Sequence, residues 1–156
     1  MIFVENFVKI LKKNKVDFFT GVPDSILKNL SLYLENFSIK KHIIAANEGA
    51  AVSVGIGYYL SRKKIPCVYF QNSGLGNAIN PLISIAHKEV YSIPLLLIIG
   101  WRGSPNQPDE PQHKAKGKIT KNLLQLLKVK HCVLKSEKDL SKLKNLIKIS
   151  YREKRI

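Results

Sequence analysis

One acidic side chain, Glu48, lies where an apolar run meets a stretch of small residues. The apolar run covers residues 43–46, and Asn47 after it is a suitable helix N-cap. An ionised carboxylate in such surroundings is costly unless a partner compensates it, which would suit a group that acts on a ligand. An acid in the first turn of a helix is also stabilised by the helix dipole alone. Position by itself therefore leaves a functional and a purely structural interpretation open.

A second polar segment, residues 72–77, has the sequence NSGLGN and follows an apolar run. Its backbone amides could bind an anion where the chain enters a helix. The segment lacks the third glycine of the dinucleotide fingerprint and the lysine of a P-loop, so a nucleotide site is not supported. A tight turn is the alternative reason for its two glycines.

The longest irregular stretch is predicted at residues 102–118, and such loops are often functional. Arg102 could hold a phosphonate or carboxylate through a bidentate contact, and His113 could move a proton near neutral pH. The alternative is that Arg102 pairs with Asp109 or Glu110, and that His113 is simply solvated.

Predicted helices and strands alternate along the chain. Strands are predicted at residues 16–20, 43–46, 66–71, 95–100 and 131–135, and helices at residues 2–14, 25–34, 48–60, 78–88, after Thr120 and after Ser136. This alternation predicts an α/β fold with a doubly wound, mostly parallel sheet and helices on both faces, in one domain over residues 1–156. Sites in such sheets lie at the carboxyl ends of the strands. The loops at residues 21–25, 47–49, 72–77 and 102–118 would meet there.

Composition argues against several other classes of protein. From residue 114 onwards there are 14 Lys or Arg against 3 acids, but no aromatic residues alternate with the bases. A solvated, lysine-rich face is therefore expected, and no specific nucleic-acid partner. The alternative is a face for an acidic partner surface or for weak, non-specific polyanion binding. Cys67 and Cys132 are isolated, which disfavours a zinc site and fits a reducing cytoplasm. The longest apolar run, residues 93–101, is too short to cross a membrane.

Five segments in the same order resemble the pyrimidine-binding domain of thiamine-diphosphate-dependent decarboxylases. They are GVPDS at 21–25, NEGAAV at 47–52, QNSGLGNAINPL at 71–82, YSIPLLLIIGWRG at 91–103 and DEPQH at 109–113. Together they are most similar to the phosphonopyruvate decarboxylases. The alpha subunits of sulfopyruvate decarboxylases share the QNSGLGN and IPLLL blocks, and DEPQH favours the former family.

The resemblance implies what several residues do. The glutamate matching Glu48 hydrogen-bonds the ring nitrogen of the cofactor's aminopyrimidine and so assists deprotonation of the thiazolium carbon. Thiamine diphosphate and Mg²⁺ are the implied cofactors. The candidates for cofactor contact are Glu48, Pro23, Asn72 and Gly74, and the candidates for substrate contact are Asp24, Ser25, Asn72, Ser73, Arg102 and His113.

The family's second domain binds diphosphate and magnesium through a Gly-Asp-Gly segment, and this sequence has none. The expected function is therefore half of a decarboxylase that converts 3-phosphonopyruvate to phosphonoacetaldehyde and carbon dioxide. It would need a diphosphate-binding beta subunit or a missing C-terminal domain, in a homo- or hetero-oligomer. The alternatives are the alpha subunit of a sulfopyruvate decarboxylase and a non-catalytic interaction subunit of the same fold. A cytoplasmic location is expected, since the N-terminus lacks the order of regions of a signal peptide.

Overall fold

Four parallel strands form the centre of the molecule. The computed structural model describes residues 2–156, and its strands are β1 (Phe19–Gly21), β2 (His42–Ile44), β3 (Cys67–Gln71) and β4 (Leu96–Gly100). They are ordered β2-β1-β3-β4, and every neighbouring pair is parallel. Because the strands are parallel, their carboxyl ends meet at one edge of the sheet, as the sequence predicts.

Helices connect the strands. They are α1 (Val4–Lys13), α2 (Lys28–Glu35), α3 (Glu48–Arg62), α4 (Leu75–Pro81), α5 (Pro111–Leu126) and α6 (Leu140–Glu153). Short 3₁₀ turns occupy Asn72–Gly74 and Glu137–Asp139. The helix predicted at residues 78–88 begins earlier, at Leu75, and Pro81 interrupts it as expected, because proline has no amide to donate. The chain continues as a π-helical turn, Leu82–Ala86. No helix within residues 2–156 is both long enough and apolar enough to span a membrane.

The sheet carries a hydrophobic core on each face. Alternation along β3 sends Cys67 and Tyr69 to one face, where α1, α2 and α6 pack. Val68 and Phe70 point to the other face, against α3, α4 and α5. Helices on both faces confirm the predicted doubly wound architecture.

The predicted loop 102–118 is wrong in its second half, where α5 begins at Pro111. Proline favours the first helical position, because its fixed φ suits a helix and its missing amide has no partner there. Thr120, after which the sequence predicts the start of a helix, therefore lies inside α5 and does not precede it. Its hydroxyl donates to the carbonyl of Lys116 at 2.8 Å.

The two ends of the sheet also differ from the prediction. Residues 131–135 form no strand in the described chain, so β4 is an edge and its Leu97, Ile98 and Ile99 are only half-buried. At the other edge, β2 is not covered on both faces, and Ile44 is 57% exposed. The apolar pattern is present in both segments, but pairing and covering depend on neighbouring elements that a local pattern does not encode.

Candidate active site

Glu48 is the first residue of α3, where the chain leaves the edge strand β2. The helix is capped by Asn47, whose side chain accepts a hydrogen bond from the amide of Ala50 at 2.8 Å. Just before the cap, the amide of Ala45 donates to the carbonyl of Gly21 at 2.9 Å. The start of α3 is thus fixed at the carboxyl ends of β1 and β2.

The carboxyl group of Glu48 lies against the loop that follows β3. A Cβ atom at Gly74 would overlap the Glu48 carboxyl, so only glycine leaves it this position. The side-chain amide of Asn77 donates to Glu48 Oε2 at 2.8 Å. Asn77 was missed by sequence reasoning, and the only available signal was that it belongs to the NSGLGN segment. The half-buried acid is therefore held by residues 74–77 at the start of α4.

Four of the predicted substrate residues lie in one hydrogen-bond network. Asp24 Oδ1 accepts from Gln71 Nε2 at 2.6 Å, and Ser73 Oγ donates to Gln71 Oε1 at 2.8 Å. Ser25 Oγ accepts from Arg102 Nη1 at 3.1 Å and lies within 3.5 Å of Asp24 Oδ1. The loops after β1, β3 and β4 thus meet, and Ser73 adjoins Gly74 at the Glu48 carboxyl. Gln71, which links two of these loops, was not predicted.

Arg102 pairs with Asp109, as the alternative interpretation of its loop held. Its Nε donates to Asp109 Oδ2 at 2.9 Å and its Nη2 to Oδ1 at 2.5 Å, while the amide of Gly103 also donates to Oδ2 at 2.8 Å. The hydrogen bond from Arg102 holds the pKa of Asp109 well below its usual value, and the same bond raises the pKa of Arg102. Of the five N–H groups of a guanidinium, these contacts and Ser25 use three. Within residues 2–156, the other two have no hydrogen-bond partner.

Asp109→Asn is expected to lower the melting temperature at neutral pH, because it removes the charged partner of Arg102. The lowered pKa means that the ionised Asp109 stabilises the fold fully above about pH 4, and that this contribution is lost as the pH falls further. Thermal unfolding of the two proteins should therefore converge towards acid pH. Glu110→Gln, at an exposed neighbouring position, is the control. If Asp109→Asn lowers the melting temperature by the same amount at every pH, the ionised Asp109 is not what stabilises the fold.

Asn72 is buried, and its side chain bonds to the backbone of Arg102 and to the side chain of Thr120. Its Nδ2 donates to the Arg102 carbonyl at 3.0 Å and to Thr120 Oγ1 at 2.9 Å, and its Oδ1 accepts from the Arg102 amide at 3.2 Å. These contacts engage both polar atoms of the side chain within the protein and connect the end of β3 to α5. Pro23 is exposed in the loop after β1.

His113 is half-buried in the first turn of α5. Its backbone carbonyl lies against Gly103, which adopts a left-handed φ of 65° that favours glycine. Within residues 2–156, its Nδ1 is buried and has no hydrogen-bond partner, and no hydrogen bond joins the imidazole to Arg102 or Glu48. The structure thus does not connect His113 to the network of the other candidates.

The chain is similar to known thiamine-dependent proteins. Residues 1–126 match the family described as "Thiamine pyrophosphate enzyme, N-terminal TPP binding domain". A phosphonopyruvate decarboxylase of Streptomyces viridochromogenes is 41% identical over 106 residues, which cover 68% of this chain and 26% of that protein. The sulfopyruvate decarboxylase subunit alpha of Methanococcus maripaludis is 36% identical over 125 residues, which cover 80% of this chain and 72% of that subunit.

A solved structure shares the fold. The thiamine diphosphate-dependent 4-hydroxybenzoylformate decarboxylase of Rhodococcus jostii has a TM-score of 0.65 at 20% identity, covering 95% of this chain and 27% of that one. This chain thus spans about a quarter of the Streptomyces viridochromogenes protein but most of the Methanococcus maripaludis alpha subunit. The family match extends over most of the chain and confirms the resemblance seen in its five segments. The chain belongs to the thiamine pyrophosphate enzyme family, in the group defined by the N-terminal TPP-binding domain.

Proposed function

We propose that this chain is the pyrimidine-binding half of a thiamine-diphosphate-dependent 2-oxo acid decarboxylase. The observation that carries the proposal is the carboxyl group of Glu48, held at the carboxyl edge of a parallel sheet between Gly74 and Asn77. Its similarity to the Methanococcus maripaludis alpha subunit, over 80% of this chain and 72% of that subunit, supports a two-subunit enzyme. The partner is a diphosphate-binding beta subunit or C-terminal domain, and the two parts assemble as an oligomer.

An aminopyrimidine ring fits the surroundings of Glu48. Gly74 packs against the carboxyl without a side chain that would displace it, and within the described chain Glu48 Oε1 has no hydrogen-bond partner. That oxygen can share a proton with a ring nitrogen, which is the role that the family resemblance implies. The bound cofactor supplies the electron sink for loss of carbon dioxide. Glu48 orients the ring and exchanges the proton.

Magnesium and the diphosphate are assigned to the partner. The Gly-Asp-Gly segment that binds them in the resembled family is not in this sequence. Within residues 2–156, no three His, Cys, Asp or Glu side chains come together as metal ligands. In this proposal, this chain binds the aminopyrimidine ring of the cofactor and the substrate. The partner binds the diphosphate of the cofactor and Mg²⁺.

The substrate that we favour is 3-phosphonopyruvate. Within the part of the chain that the structure describes, two N–H groups of Arg102 have no partner and can bind its phosphonate, and the hydroxyls of Ser25 and Ser73 lie in the same network. Asp109, the first residue of the DEPQH segment, holds the guanidinium in place. Sulfopyruvate is the second candidate, because an arginine also binds a sulfonate and a sulfopyruvate decarboxylase subunit is similar over more of this chain.

Reconstitution tests the proposal. The chain with thiamine diphosphate and Mg²⁺ alone should release no carbon dioxide from either 2-oxo acid. Adding a subunit from the same genome that contains Gly-Asp-Gly should start turnover, and the ratio of kcat/KM for the two acids identifies the substrate. Turnover by the chain alone would show that it is not half a site. No turnover of either acid by the assembled complex would reject the decarboxylase.

A further inference from the structure

We propose that Asn77 is a positioning residue that fixes Glu48 Oε2 and leaves Oε1 as the oxygen that exchanges the proton. The role of Oε1 in proton exchange rests on the proposed function, whereas the contact between Asn77 and Glu48 is a feature of this chain alone. Within residues 2–156, Asn77 is the one side chain that hydrogen-bonds to Glu48. A bond between an amide donor and a carboxylate is stronger than one between neutral groups.

The backbone fixes the distance between these two side chains. Gly49, next to Glu48, packs on the carbonyl of Asn77, and a Cβ atom there would lie 2.8 Å from that oxygen. Close approach of α3 and α4 at Gly49 therefore sets the separation of residues 48 and 77, which are 29 positions apart. Gly74 packs against the carboxyl carbon and Oε1. The carboxyl is thus held at Oε2 and along one face, so its remaining freedom is small.

The type of donor biases which oxygen carries a proton. An amide N–H that points at Oε2 bonds more strongly to a charged carboxylate oxygen than to a hydroxyl oxygen, so it favours the proton of Glu48 on Oε1. Aspartate has the same shape as asparagine but, when ionised, cannot donate. It would place a second negative charge against the carboxylate. When protonated, it regains a donor in the form of an O–H group.

Few other titratable groups can interfere with this pair. On the elements that pack against the start of α3, neither α4 nor β1 contains an ionisable residue. β3 contains only Cys67 and Tyr69, and both lie in the core on the opposite face of the sheet. Within this chain, a pH effect that Asn77→Asp introduces and Asn80→Asp does not would therefore report on Glu48 and residue 77.

The first experiment uses the chain without cofactor or partner. The side-chain amide resonances of Asn77 are followed by ¹H–¹⁵N NMR in the wild type and in Glu48→Ala. Loss of the acceptor should shift the hydrogen-bonded Asn77 proton upfield and speed its exchange with water. The resonances of Asn80, whose Oδ1 accepts from Ser84 one turn further on at 2.8 Å, should not move and are the internal control. Unchanged Asn77 signals would overturn the inference, whatever the enzyme turns out to do.

The second experiment uses the reconstituted complex. Asn77→Ala should lower kcat by about 10-fold, the worth of a hydrogen bond to a charged group, with KM for the 2-oxo acid unchanged. Asn77→Asp should be at least as impaired at neutral pH and should recover towards acid, where protonated aspartate donates again. Asn80→Asp adds the same charge to the same helix and should keep the wild-type pH profile. If Asn77→Asp instead matches the wild type at all pH values, residue 77 serves packing only and the inference fails.

The two experiments separate the two claims. A shifted Asn77 signal with an inactive complex would reject the decarboxylase and keep the positioning of Glu48. An active complex with an unmoved Asn77 signal would support the decarboxylase and reject the positioning of Glu48 by Asn77.

Discussion

Glu48→Gln is expected to lower kcat of the reconstituted complex by at least about 100-fold, the lower end of the contribution of a positioned acid or base. Glutamine has the same shape and can still accept a hydrogen bond from Asn77, so the fold and the contact with α4 should survive. It cannot exchange a proton, because its amide neither gains nor loses one at neutral pH. Carbon dioxide release gives the rate, and thermal unfolding of the free chain checks that the variant is folded.

Glu5→Gln is the matched control for this variant. Glu5 is also an acid in the first turn of a helix, α1, and stabilises it through the same dipole. A purely structural role for Glu48 would make the two substitutions equivalent in the activity assay. Equal turnover of both variants and the wild type would favour the non-catalytic interaction subunit over the decarboxylase.

Topology made much of the candidate site predictable from the sequence. A parallel sheet places the ends of its strands together, so loops that are far apart in the chain could be assigned to one edge. The structure bears this out for Asp24, Ser25, Ser73 and Arg102, which form one network there. The roles of these side chains in binding remain predictions.

The partners of the predicted residues were harder to find. Asn77 and Gln71 contact residues 29 and 47 positions away, and nothing in a local pattern indicates which amide will reach which carboxylate. Asn72, a candidate for cofactor and substrate contact, is bonded to the backbone of Arg102 and to Thr120, and its contact with a ligand stays a prediction. A polar residue in a loop with an unusual sequence can hold the loop in place through hydrogen bonds within the protein.

The fold was predicted best where packing and local pattern agree. The parallel sheet, its two covered faces and the start of α3 at Glu48 were all expected. The predicted loop 102–118 extends too far, because Pro111 is the first residue of a helix and does not prolong the loop. Residues 131–135 have an apolar strand pattern but do not pair with the sheet.

Two glycines within helices should respond in opposite ways to the same substitution. A Cβ atom at Gly57, in α3, would have no atom within 4 Å, whereas one at Gly117, in α5, would overlap the carbonyl of Gly103. Gly57→Ala is expected to raise the free energy of unfolding by about 1 kcal/mol, the difference in helix propensity. Gly117→Ala gains the same helix propensity, but its new Cβ atom must push α5 away from the backbone of Gly103, at a cost of about 3 kcal/mol. Its free energy of unfolding should therefore fall by about 2 kcal/mol.

Urea unfolding of the free chain measures both changes against the wild type, with Gly57→Ala as the control for helix propensity. The comparison also bears on the site, because α5 presents Thr120 to Asn72, and Asn72 in turn is bonded to the backbone of Arg102. Displacing α5 should therefore broaden the NMR signals of Arg102 and Asn72 in Gly117→Ala and leave them unchanged in Gly57→Ala. Stabilisation by Gly117→Ala would mean that α5 does not rest on Gly103, and that the contact positioning Arg102 is not the one described.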